Sequence, residues 1–209
     1  MSEFSTDFQA DLLRLMRRRR DVRRFRTSPV DEAILRDCLA TFTLAPSVGL
    51  SEPWRVVRVQ SAPARAAALA NFTAQNTRAL DGYEGEKARL YSSLKLSGMN
   101  DAPVQLAIFC DEETAKGAGL GAQTMPEMRR YSVVGAITQF WLATRAHGLG
   151  LGWVSILDPT RLCQDLDIPH DWRLVAYLCI GWPEAESDTP ELELAGWEHR
   201  RQDVPVETR

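Results

Sequence analysis

Apolar residues along positions 7–20 fall at Phe8, Leu12, Leu13 and Met16, a rhythm that lines one side of a helix and runs straight into a block of arginines. Ser28-Pro29-Val30-Asp31 reads as a capping box with proline at the first helical position. A second helix is therefore expected to carry Ile34, Leu35, Cys38, Leu39 and Phe42 on one face and to end near Pro46. Residues 56–59 predict a short strand, 63–79 an alanine-rich helix and 86–96 a polar helix, with a break at 81–85 between the two. The run VQLAIFC at 104–110 is continuously apolar and bounded by Pro103 and Asp111, as expected of a strand covered on both faces. Glycines at 116–124 predict a loop. Residues 131–147 are apolar nearly all round, which predicts a buried core helix closed by Gly148. Strands are expected at 152–157 and 174–180, with a short helix opened by Asp158-Pro159 between them. This loose alternation makes a single α+β domain over residues 1–209, without internal repeat or linker.

The segment GLGLG at 148–152 has the wrong spacing for a dinucleotide fingerprint, and it leads from helix to strand instead of from strand to helix. It reads as a tight turn. Composition sharpens the picture only in places. With 44% hydrophobic and 25% charged residues the chain is ordinary for a globular domain, and no apolar run approaches the roughly 20 residues of a membrane span. The N-terminus is too polar for a secretory signal, so a cytoplasmic protein with no membrane association is expected. Four scattered cysteines without a CxxC pair predict free thiols, and three distant histidines offer no metal motif.

Charge changes the picture most. Only three of the 25 basic residues are lysine, and eight arginines crowd between Arg14 and Arg26, although the net charge is −3. Guanidinium forks grip phosphate in two-pronged fashion; a nucleic-acid binder would be basic overall, so none is expected as partner. The alternative is a solvated arginine face with Asp21 as its ion-pair partner.

Several segments taken together resemble the flavin-dependent nitroreductase fold family and, within it, the 5,6-dimethylbenzimidazole synthase branch of cobalamin biosynthesis. They are RRDVR (19–23), APSVG (45–49) with PW (53–54), LKL (94–96), AP (102–103), YS (131–132), WLA (141–143), GLGWVSI (150–156) and GW (196–197). The resemblance implies a central mixed, mainly antiparallel sheet flanked by helices in an interleaved homodimer, with FMN at the subunit interface. It assigns flavin binding to Arg19, Arg20, Asp21, Val22, Arg23, Ser47, Gly49, Ser155 and Arg200, and implies no metal. Reduced FMN is then substrate as well as ligand, delivered by a separate flavin reductase and fragmented with dioxygen into 5,6-dimethylbenzimidazole and D-erythrose 4-phosphate. Asp21 matches the carboxylate that moves protons, and Ser155 a hydroxyl at the reactive edge of the flavin. By the strand pattern alone, that hydroxyl could equally bond to backbone. Gly49 would let its loop pass close to the ring, and residues 81–97 match a lid.

Two positions depart from the branch: Glu52 stands where glutamine is common before Pro53-Trp54, and Ala122 where an arginine often follows Gly121. Two other functions stay open. One is an NAD(P)H-dependent nitroreductase or flavin reductase, which would not need the carboxylate of Asp21; the other is a non-catalytic flavin or nucleic-acid binder, which would not need Ser155.

Overall fold

The computed structural model describes residues 3–209. Its centre is a four-stranded antiparallel sheet in the order β1-β2-β4-β3, from β1 (Trp54–Arg58), β2 (Val104–Asp111), β3 (Gly150–Val154) and β4 (Trp172–Gly181). All eight residues of β2 are buried, as its unbroken apolar run demands. Alternate side chains feed two cores. Leu106, Ile108 and Cys110 face a cluster built with Leu35 and Cys38 of α2 (Glu32–Ala40) and Val133, Ile137 and Phe140 of α5 (Met128–Ala146). Ala107 and Phe109 face a second cluster with Phe25, Ala68 of α3 (Ala62–Leu80) and Leu162 of α6 (Pro159–Asp165). The remaining helices are α1 (Thr6–Arg18), α4 (Gly85–Ser93) and α7 (Glu191–Leu194). No helix of the described residues is long and apolar enough to cross a membrane.

Several boundaries differ from expectation for local reasons. The cap of α2 is Asp31, whose carboxylate accepts from Ala33 N at 2.7 Å, so Pro29 lies in the extended approach and not at the first helical position. The helix tightens into a 3-10 turn at Thr41–Leu44, where Thr41 and Thr43 hydroxyls donate back to the carbonyls of Cys38 and Ala40. Strand β3 starts at Gly150 and stops at Val154, leaving Ser155 outside it and exposed. What ends it is a reciprocal pair of hydrogen bonds between the Asn71 side chain and the Asp158 backbone, 2.9 and 2.8 Å, which draws the chain toward α3.

Helix α5 is the core helix, but not on every side: Tyr131 and Val134 are exposed. The apolar side of α1 is likewise open, with Phe8, Leu13 and Met16 near half exposure. The four cysteines are free. Burial pushes the thiols of Cys110 and Cys179 up to about 11 and about 12, which removes their thiolate reactivity at neutral pH.

Candidate active site

The site is organised where the chain leaves α1 and meets the edge of the sheet. Arg19 ends the helix in extended geometry, and Asp21 then pairs in parallel with Leu151, Val22 N donating to Leu151 O at 3.0 Å. This is the parallel element of an otherwise antiparallel sheet. So close an approach needs bare backbone on β3: a Cβ on Gly152 would stand 2.1 Å from Val22 O, and one on Gly150 would stand 2.8 Å from a Val22 methyl. The glycines of GLGLG therefore serve two purposes, the turn at Gly148 (φ +80°) and the docking of Asp21-Val22 at Gly150 and Gly152.

Docking fixes the Asp21 carboxylate. Oδ1 accepts from Trp153 N at 2.8 Å and Oδ2 from Arg23 Nε at 2.8 Å. Arg23 reaches on to Lys95 O at 3.2 Å, so this largely buried guanidinium braces Asp21 against the end of the 81–97 segment. A carboxylate has about four lone-pair positions, so acceptor capacity remains after both bonds are made.

The other arginines act on each other through their charges. The Arg19 guanidinium lies 4.5 Å from the centre of the Trp141 ring, itself in contact with Trp153. Partial burial lowers its pKa from the ordinary arginine value; Asp21 opposes this and the charge of Arg200 adds to it. Arg20 is lowered as well, first by burial, then by the charges of Arg200 and Arg19, against Asp188 and Glu193. Its guanidinium donates to the backbone carbonyls of Arg17, Arg19 and Asp188, which orients it without neutralising it. Arg200 is exposed and has no carboxylate partner among the described residues. Three guanidinium groups whose charges oppose one another are what an anionic ligand stabilises, and a phosphate monoester suits them in charge.

Ser47, Gly49 and Glu52 lie elsewhere in the chain. Ser47 Oγ accepts from Glu52 N at 3.1 Å, and Val48 N donates to Ser132 Oγ at 3.0 Å near the start of α5. Trp141, beside Arg19, is nine residues further along that helix, about 14 Å away at 1.5 Å per residue. The space a Cβ would need at Gly49 (φ +57°) is taken by Leu120 O and Gly117 O, so the close approach is to the glycine loop of the same chain. Glu52, in place of the usual glutamine, pairs with Lys116. Ala122 is buried.

Ser155 follows Trp153 by two residues; its hydroxyl is exposed and has no partner among the described residues, so the backbone-bonded alternative is not realised. A cleft of about 230 Å³ is lined by Arg20, Asp21, Val22 and Arg23 on one side and by Glu184, Glu186 and Glu191 on the other. It falls short of the roughly 300 Å³ at which small-molecule sites begin. A larger cleft of about 710 Å³, lined by Arg130, Cys163, His170, Trp172 and Arg173, holds none of the expected site residues. Among the described residues no group of His, Cys, Asp and Glu could hold a metal.

Residues 16–182 match the nitroreductase family. The chain belongs to that family. Among curated relatives it is 52% identical to the 5,6-dimethylbenzimidazole synthase of Rhodospirillum rubrum, covering 95% of this chain and 94% of the relative. It is 48% identical to that of Rhodobacter capsulatus, covering 94% and 93%. Among solved structures, iodotyrosine deiodinase bound to FMN and 3-iodo-L-tyrosine superposes with a TM-score of 0.74 at 21% identity, covering 95% of this chain and 98% of that one, a likeness of fold.

Within this nitroreductase frame, sequence reasoning missed the backbone partners of the site: Trp153 N on Asp21, Lys95 O on Arg23 and the carbonyls that orient Arg20. Backbone groups carry no residue-type signal. The sequence offered Trp141 only as part of the WLA motif, whereas the ring both packs against the main cluster and carries the Arg19 guanidinium.

Proposed function

We propose that this nitroreductase-family protein is a 5,6-dimethylbenzimidazole synthase, an oxidoreductase that fragments reduced FMN with dioxygen into 5,6-dimethylbenzimidazole and D-erythrose 4-phosphate. The observation that carries this reading is 52% identity to a protein of that name along 95% of the chain. The test is direct: incubate the protein with reduced FMN and oxygen and follow dimethylbenzimidazole by mass spectrometry. No product alongside rapid NADH oxidation would overturn it in favour of an NAD(P)H-dependent reductase.

Bound reduced FMN supplies the electrons for dioxygen and the carbon skeleton of the product. The chain's part is to bind, orient and move protons. Arg19, Arg20 and Arg200 are proposed to hold the phosphate, a role supported by the positive charge that they bring to bear on one another. A charge-assisted hydrogen bond contributes about 1.5–3 kcal/mol, so Arg19→Ala is expected to weaken FMN binding roughly 10- to 100-fold by fluorescence titration, with the fold intact. Asp21, braced by Trp153 N and Arg23, is proposed to accept a proton at a remaining lone pair of its carboxylate. The free hydroxyl of Ser155 is proposed to hydrogen-bond the reacting edge of the ring. Ser155→Gly should then bind FMN normally and yield little product; native turnover in that variant would return Ser155 to a surface role. The 81–97 segment, through Lys95 O on Arg23, is proposed as the lid that excludes water.

Assembly as an interleaved homodimer is part of the same proposal. One chain supplies the arginines and Asp21 at one end of α5 and the Ser47 loop toward the other, so a second copy is needed to bring both kinds of residue to one ligand. Supporting this, Leu50 and Leu120, each more than 70% exposed, flank that loop, and Tyr131 and Val134 are bare on the adjoining helix. Sedimentation should show a dimer, and a folded monomer holding FMN at full affinity would overturn the shared site. Free cysteines agree with a reducing cytoplasm, where a separate flavin reductase would deliver reduced FMN.

A further inference from the structure

Past α7 the chain has no regular structure, yet it carries Arg200 near enough for its charge to act on Arg19 and Arg20. One residue ties that stretch to the rest of the molecule. The Trp197 ring meets Tyr83 edge-on at 5.4 Å and Tyr91 at 6.2 Å, and Lys87 Nζ stands 4.2 Å over its centre. Lys87 Nζ also donates to Trp197 O at 2.7 Å, while Trp197 N donates to Leu192 O at 2.8 Å. Tyr83 and Tyr91 stack on each other at 4.9 Å, and the buried Tyr91 donates its hydroxyl proton to Asn76 Oδ1 of α3 at 2.8 Å. A polar segment with two tyrosines and a lysine has thus built a socket for one tryptophan of the C-terminal stretch. The further tie there is weak: the His199 ring stands 3.8 Å from Glu193.

We propose that Trp197 is a positioning residue for phosphate recognition: seated in the Tyr83-Tyr91-Lys87 socket of α4 and its approach, it sets where Arg200 stands. The inference rests on the proposed phosphate role of Arg200 and deepens it. Arg200 lies three residues beyond the socket, within about 10 Å of chain, and without the socket only the Trp197 N–Leu192 O bond and the His199 contact, among the described residues, hold the stretch that carries it. Because the socket belongs to the segment proposed as the lid, lid placement and phosphate capture become one event. Displacing the segment carries Trp197 and Arg200 away together. The arrangement also makes Trp197 matter for FMN and not for riboflavin, which has the same ring and ribityl chain but no phosphate.

Flavin fluorescence titration with FMN and with riboflavin tests this in Trp197→Ala, Trp197→Phe, Lys87→Met and Arg200→Ala, and in the Trp197→Ala/Arg200→Ala double variant. Trp197→Ala should raise the Kd for FMN roughly 10-fold and leave riboflavin within about 2-fold, with Trp197→Phe close to native and Lys87→Met intermediate. The double variant should bind FMN no more weakly than Arg200→Ala alone, since a residue that acts through Arg200 has nothing left to position. Equal weakening for both flavins, or additive losses in the double variant, would overturn the positioning role while leaving Arg200 in place. An Arg200→Ala variant with native preference for FMN over riboflavin would remove Arg200 from the phosphate, and the role of Trp197 with it.

Discussion

Asp21→Asn is expected to reduce dimethylbenzimidazole formation from reduced FMN by about 10²- to 10⁴-fold, the range for loss of a positioned proton acceptor. The substitution keeps shape and half the hydrogen bonding. Asparagine Oδ1 can still accept from Trp153 N, but the amide nitrogen then faces Arg23 Nε, donor against donor. Losing that half-buried ion pair costs about 1–2 kcal/mol, between the values for exposed and fully buried pairs. For a chain of this size that is a fall in Tm of only a few degrees. FMN binding should stay within about 3-fold, less than 1 kcal/mol, because the arginines proposed for the phosphate make no hydrogen bond to Asp21, whose charge acts only on Arg19 among them. Arg23→Gln separates bracing from proton transfer: it removes the same ion pair but leaves the carboxylate on Trp153 N, and should lose far less activity. Product formed by Asp21→Asn at the native rate would make Asp21 an ion-pair partner and nothing more.

The second large effect is expected at a residue with no functional group. In Gly152→Ala the new Cβ would stand 2.1 Å from Val22 O and 3.2 Å from Val22 C, both backbone atoms that no rotamer change can move. The Asp21-Val22 segment must lift off β3, giving up the bonds to Leu151 O and Trp153 N. Overpacking costs about 1–3 kcal/mol and each lost hydrogen bond about 0.5–1.5, so destabilisation near 3 kcal/mol and a Tm lower by roughly 6–12 °C should appear by calorimetry. Activity should fall at least about 100-fold, since the carboxylate proposed to accept the proton is lifted from its place. Gly82→Ala, where a Cβ meets only Ala79 O at 3.4 Å, should stay within about 0.5 kcal/mol of native. A Gly152→Ala protein with native Tm and turnover would show that Asp21 is not held by this approach.

Much of the fold was legible along the chain because burial leaves a local trace. An apolar run the length of one strand and without polar alternation could only be covered on both faces, and β2 is. The apolar surround of residues 131–147 identified the core helix, but its periodicity could not say that Tyr131 and Val134 would stay open. The arginine block pointed to an anion site through composition alone, because so many mutually repelling charges in an acidic protein need a reason to be together, and the phosphate role stays a proposal. Ser155 was legible as a residue and not as an environment: the strand pattern placed it inside β3, and the Asn71-Asp158 bonds that end the strand come from a helix more than 80 residues away in sequence.

The sequence by itself therefore determined the element types, the two-faced central strand, the arginine cluster and, through its motifs, the family. These depend on side-chain character repeated at short range, which propensity and periodicity report directly. Tertiary structure alone decided that Asp21 would be locked by a parallel bridge to Leu151, that Gly150 and Gly152 exist for Val22, that Arg23 braces and does not point outward, and that Trp197 sits in a socket of Tyr83, Tyr91 and Lys87. Each joins residues tens to more than a hundred positions apart, several through backbone atoms that every residue shares. Which partner a buried face or a backbone donor finds is settled only when the elements pack, because only then is the alternative of bonding to water removed.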